Sequence, residues 1–88
     1  MKNKVLVNLI VPEIDRNFDL YLPITKKIGN ISNLLNKTIS EISNGEYKES
    51  ITDILYNVTT GERYYPDVLL VNTNIRNGTK LVLLSNLK

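Results

Sequence analysis

Cysteine and histidine are both missing from these 88 residues. Their absence excludes a disulfide framework, thiolate chemistry, His-assisted nucleophiles and zinc sites built on Cys or His. Glycine is sparse: Gly29, Gly45, Gly61 and Gly78 are the only ones, and that spacing builds no phosphate-cradling loop. No apolar run approaches the ~18 residues of a membrane-spanning helix, so direct membrane insertion is not expected. Charge of one sign is not concentrated either. With 11 basic and 9 acidic residues the net charge is +2, and no block of about five or six like charges implies a polyanion-binding tail. Met1–Lys4 leads directly into a strand-like run, so no signal peptide is read. A reduced, cytoplasmic setting is expected, which a cysteine-free chain fits.

What is present suits a small globular protein. Hydrophobic residues make up 42%, an ordinary share, and a chain this long forms one domain over 1–88. Such a domain buries about 60% of its unfolded surface, enough for one modest core without staples. Richness in Asn, Ile and Lys reflects an AT-rich genome. The sequons at Asn30, Asn36, Asn57 and Asn77 are chance products of that composition, with no secretory signal beside them.

Hydrophobic periodicity sets out the elements. Over Lys4–Val11, Val5, Val7, Leu9 and Val11 alternate with Leu6, Asn8 and Ile10, which predicts a strand covered mainly on one face. Pro12 ends it. After the polar link Glu13–Asn17, Phe18, Leu20 and Leu22 alternate with Asp19 and Tyr21 up to Pro23, predicting the second arm of an antiparallel hairpin. The period then changes to that of a helix. Ile24, Ile28, Ile31, Leu35, Ile39 and Ile42 form one apolar stripe, with Thr25 as the expected N-cap and Asn44-Gly45 as the left-handed stop. Gly29 inside the first turn costs roughly 0.5–1 kcal/mol against Ala, and a close approach of helix to sheet would account for it.

A polar loop at Glu46–Asp53 follows. Ile54–Val58 then reads as a third strand, Thr59–Glu62 as a tight turn and Arg63–Tyr65 as a short fourth strand closed by Pro66. Residues 67–75 read as irregular, anchored by Leu70 and Ile75. Asn77-Gly78 turns the chain into a last strand over Thr79–Ser85, with Leu81 and Leu83 on one face and Val82 and Leu84 on the other. One amphipathic helix and one mixed sheet of about five strands bury their apolar faces against each other. The expected class is therefore α+β, a β-grasp, with the first and last strands parallel neighbours at the centre.

Candidate chemistry is thin. Glu13 and Asp15 lie in a hairpin link with no cleft around them, so they read as a solvated turn. Five tyrosines are present, but they are not interleaved with clustered Lys or Arg, so nucleic-acid binding is not expected. Tyr56 reads as partial core, and Tyr64 and Tyr65 as strand packing. No metal or cofactor site is read, and no catalysis. The one candidate surface is the sheet face turned away from the helix. Leu6, Ile10, Val82 and Leu84 are expected there as a contiguous apolar patch, joined by Tyr21 and Leu55. Such a patch is either a partner surface or the ordinary apolarity of central strands.

The run Leu70-Val-Asn-Thr-Asn-Ile-Arg-Asn-Gly-Thr-Lys-Leu-Val-Leu-Leu84 resembles the corresponding part of ubiquitin. Together with Val5–Val11, the Leu22-Pro-Ile24 entry to the helix and Ile75–Leu81, it resembles the EsaB/YukD family. These are small ubiquitin-like proteins encoded with type VII secretion systems of Gram-positive bacteria. The resemblance implies a non-catalytic accessory or regulatory role through protein–protein binding. Partners would be membrane or ATPase components of the secretion machinery, with any membrane association made through such a partner. It also favours the patch as the working surface. Conjugating modifiers and sulfur carriers of this class end in Gly-Gly, whereas the sequence here ends Leu84-Ser-Asn-Leu-Lys88, so carboxylate activation is not expected. The alternatives are a ubiquitin-like adaptor unrelated to secretion, or a carrier or modifier lacking its Gly-Gly end.

Overall fold

The computed structural model describes residues 3–48 and 54–84. The parts of the predicted loop and last strand at 49–53 and 85, and the terminal residues 86–88, lie outside them. Among the described residues there are four strands, β1 (Lys4–Val11), β2 (Arg16–Pro23), β3 (Ile54–Asn57) and β4 (Lys80–Leu84), and one α-helix, α1 (Ile28–Ile42), between β2 and β3. Short 3₁₀ turns occur at Pro12–Ile14 and Leu70–Asn72. The sheet order is β2-β1-β4-β3. β1 pairs antiparallel with β2 and parallel with β4, and β4 pairs antiparallel with β3. This is the β-grasp arrangement, with the first and last strands side by side at the centre.

The predicted fourth strand, Arg63–Tyr65, is reduced to one bridge between Tyr56 and Arg63. Among the described residues the sheet therefore has four strands rather than about five. The amide of Tyr64 donates to the carbonyl of Leu55 and that of Asn57 to the carbonyl of Glu62. Pro66, without an N–H, ends the pairing there.

The core follows the alternation. Val7, Leu9 and Val11 of β1, Leu22 of β2, Leu55 of β3 and Leu81 and Leu83 of β4 meet Ile28, Ile31, Leu35 and Ile39 of α1. Val5, Phe18, Leu20 and Ile24 pack around them, partly buried. Phe18 lies on an edge strand, and the Arg16 guanidinium covers its ring at 5.0 Å from the centroid. The expected anchors Leu70 and Ile75 are both buried. So is Tyr47, which the polar loop around it had concealed. Ile42, at the end of the predicted stripe, is half-exposed.

The helix begins three residues after the expected N-cap, Thr25. Lys27 holds the cap position in an extended conformation, with no side-chain cap. The reason is tertiary. The amides of Ile28 and Gly29 donate to the carbonyls of Val68 and Pro66 at 2.8 and 3.0 Å. The 66–68 loop thus takes first-turn donors that a capping hydroxyl would otherwise satisfy. The link is pinned further where the amides of Leu70 and Val71 donate to the carbonyls of Lys26 and Ile24. Gly29 marks the same contact, and its near neighbour is this loop rather than the sheet. A Cβ there would lie 2.9 Å from Pro66 Cβ and 3.2 Å from its carbonyl oxygen. At the other end, Asn44 (φ 55°) and Gly45 (φ 82°) make the expected left-handed stop.

A buried polar chain fastens the β3 turn to the last connection. Asn57 faces inward and is buried. Its side-chain carbonyl accepts the amides of Thr59 and Thr60, and its Nδ2 donates to the Tyr64 hydroxyl at 3.0 Å. That hydroxyl donates to Oδ1 of Asn74, whose Nδ2 reaches Glu62. Burial raises the Tyr64 pKa above the ordinary 10.0; the hydrogen bond from Asn57 opposes the rise, and the charge of Glu62 adds to it.

Three outcomes follow for stability. Leu35→Ala, which empties a buried site against the sheet, lowers unfolding free energy by about 2–5 kcal/mol in denaturant melts. Gly29→Ala also destabilises, by about 1–3 kcal/mol, because overpacking against Pro66 outweighs the gain in helix propensity. A more stable Ala variant in the same melts contradicts this. Tyr64→Phe costs about 1–3 kcal/mol at neutral pH by leaving the buried Asn57 amide short of a partner. A raised folded pKa means that the native state holds its proton while the unfolded chain loses it, so wild-type stability falls as pH rises above 10.0. That fall is shallower in the Phe variant, as chemical denaturation at successive alkaline pH values measures.

Candidate functional site

Side chains of paired strands share a face, so the register places every residue of the outer sheet surface. Crossing from edge to edge, the first row is Pro23 and Lys4, and the second is Tyr21 and Leu6. The third is Asp19, Asn8 and Lys80. The fourth is Asn17, Ile10, Val82 and Tyr56, with Arg63 beyond at the bridge. Leu84 and Ile54 form the last.

Five of the six expected surface residues, Leu6, Ile10, Tyr21, Val82 and Leu84, lie on this face. Leu55 does not. It pairs with Leu83 and is 1% exposed, so it is core. Its neighbour Tyr56, expected to be partly core, pairs with Val82 on the outer face. The third strand is thus one residue out of the expected phase, and a one-residue shift exchanges the two faces. What settles the phase is Asn57, which can face inward because Tyr64 and the turn amides satisfy it.

The predicted patch is also not contiguous. The row Asp19–Asn8–Lys80 crosses it, and Asn8 Nδ2 donates to Asp19 Oδ1 at 3.0 Å. Leu6 and Ile10, four residues apart on one strand, are separated by about 13 Å. Two apolar areas result. The smaller holds Tyr21 and Leu6, 54% and 37% exposed. The larger holds Ile10, Val82, Tyr56, Leu84 and Ile54, all at least partly exposed. Arg63 at its rim places its guanidinium 5.9 Å from the ring centroid of Tyr65, which is itself exposed. No sequence signal isolates Tyr56 and Ile54 as members, because only the pairing with Val82 and Leu84 brings them there.

Glu13 and Asp15 are exposed at the hairpin end. Among the described residues no group of three or more carboxylates could hold a metal ion, and no helix is long and apolar enough to cross a membrane. The depression beside the start of α1, lined by Lys26, Lys27, Asn30 and Asp67 among others, does not present the amides of Ile28 and Gly29, which the 66–68 loop already occupies.

No family model matches the chain, and no curated protein does. Solved structures do. A chain of the MycP5-free ESX-5 inner membrane complex superposes on 98% of this one with a TM-score of 0.75 at 16% identity. The match spans only 22% of that longer chain. The ubiquitin-like domain of the Mycobacterium tuberculosis type VII secretion system protein ECCD1 gives a TM-score of 0.70 at 16% identity, over 93% of this chain and 98% of that one. The ubiquitin-like domain of Arabidopsis thaliana protein At2g32350 gives 0.68 at 17% identity, over 98% and 81%. At these identities the likeness concerns the backbone, and with the strand order and the single packed helix it makes this chain a ubiquitin-like β-grasp domain.

Proposed function

We propose that this domain is a non-catalytic accessory or regulatory protein of a Gram-positive type VII secretion system, of the EsaB/YukD kind. It works in the cytoplasm by binding a membrane or ATPase component of the machinery. The observation that carries the reading is the larger apolar area, Ile10–Val82–Tyr56 with Leu84 and Ile54. A sheet covered by one helix ordinarily shows water a mainly polar face, and an aliphatic and aromatic strip bounded by Lys80 and Arg63 has the make-up of a binding patch with a polar rim. The secretion assignment draws support from the sequence resemblance and from the two secretion-system structures with this fold. The absence of Cys and His leaves no activated nucleophile of the usual kinds, consistent with a role through binding alone.

The test separates the two areas. Ile10→Glu with Leu84→Glu should keep the melting temperature within a few degrees of wild type. It should abolish co-purification of secretion-system components and fail to restore secretion in a deletion strain. Leu6→Glu, beyond the polar row, should retain both. A folded double variant that still binds and secretes removes the patch from the mechanism. Wild-type protein that captures no secretion component, in a strain that secretes normally without it, points instead to an adaptor outside secretion.

A further inference from the structure

The smaller apolar area lies at one end of a molecule whose charge is polarised. Lys4 is paired with Pro23, where β2 ends. Lys26 and Lys27 follow in the link to α1, and Arg76 precedes the turn whose Asn77 and Gly78 bond to Leu6. These four cations therefore share the end at which β1 begins. The carboxylates nearest are Asp67, in the depression beside Lys26 and Lys27, and Glu62, held by Asn74 towards the β3 edge. Among the described residues the other carboxylates lie elsewhere: Asp19 in the polar row, Glu13 and Asp15 at the far end of the hairpin, and Glu41 and Glu46 at the far end of a 15-residue helix, about 22 Å long.

The basic end also exposes apolar groups. Tyr21 and Leu34 are each 54% exposed. Leu34 shares a shallow groove with Pro23 and Lys26, and Tyr21 flanks the same proline beside Leu6. Lysines interleaved with an exposed tyrosine and leucines match the chemistry of a bilayer's interfacial zone. Anionic headgroups there meet the ammonium groups, while amphipathic rings and short aliphatics settle at headgroup level.

From this we infer that the end carrying Lys4, Lys26, Lys27 and Arg76 docks reversibly on an anionic lipid bilayer, with Tyr21 and Leu34 at the headgroups and no segment inserted. The contact is electrostatic, weak alone and reduced by salt. It orients the domain so that the Ile10–Val82 area, beyond the polar row, stays open to a protein partner. The inference does not depend on the secretion reading, because purified protein and lipid suffice to test it.

The experiment is co-sedimentation of the full chain with vesicles of phosphatidylglycerol or of phosphatidylcholine at low and physiological salt. Wild type should bind the first, more weakly as salt rises, and not the second. Each lysine contributes about fivefold, so Lys26→Glu with Lys27→Glu should lower binding by well over tenfold. The milder Lys26→Gln with Lys27→Gln should lower it by more than tenfold, and keeps the test open should the reversal unfold. Lys37→Glu with Lys48→Glu changes net charge equally but away from this end, and should bind as wild type. Ile10→Glu with Leu84→Glu should also bind vesicles normally. Binding to neither lipid, or to both alike, overturns the inference, as does equal loss in the Lys37 and Lys48 variant. Competition by soluble polyglutamate as effective, charge for charge, as phosphatidylglycerol overturns it in favour of an acidic protein.

Discussion

The parallel pairing of β1 with β4 is the contact on which the other features depend. Its register is short: Asn8 with Lys80, Leu9 with Leu81, Ile10 with Val82. It is extended at Leu6, whose amide donates to Oδ1 of Asn77 and whose carbonyl accepts the amide of Gly78. The Asn77 side chain thus supplies the acceptor that the next strand residue would have offered. Residues some seventy positions apart in the chain are joined here, so the whole intervening segment must close before the pair can form. Once formed, it puts Leu9 and Leu81 together under α1 and Ile10 and Val82 together on the opposite face.

The connection between β3 and β4 does more than span a gap. Its 66–68 segment caps α1 through backbone carbonyls, and Pro66 fills the space that Gly29 leaves. Farther along, Asn74 closes the hydrogen-bonded chain through Tyr64 to Asn57. One irregular stretch therefore holds the helix start, the β3 turn and the approach to β4. It is also why a three-residue strand suffices no better than a single bridge: the backbone beyond Tyr65 is engaged with the helix instead of the sheet.

The outer face owes its division to the hydrogen bond between Asn8 and Asp19. A continuous aliphatic face across four strands would expose the sheet to non-specific association. The polar row limits that area and leaves two surfaces of different character, one aliphatic and aromatic with basic groups at its rim, the other holding Tyr21 and Leu6 beside Lys4 and Pro23.

Much of this architecture was legible in the residues themselves. The period-2 run of Val5–Val11, the change to period 3.6 after Pro23, the Asn44-Gly45 stop, and Leu70 and Ile75 as anchors all follow from local chemistry, because side-chain direction and allowed φ are properties of neighbouring residues. Other features were not legible. Thr25 is a good cap by composition, yet the carbonyls that cap the helix come from residues some forty positions away. In Ile54-Leu-Tyr-Asn-Val58 the apolar alternation favours Ile54, Tyr56 and Val58 inward; pairing with β4 and the partners of Asn57 turn Leu55 and Asn57 in instead. Tyr47 stands among polar residues and is buried nonetheless. The sequence by itself determined the first hairpin, the body of the helix with its left-handed stop, and the last strand with the turn before it. Tertiary structure alone decided the helix cap, the phase of β3 and the break in the outer patch, since each rests on a hydrogen bond or a strand partner supplied from elsewhere in the chain.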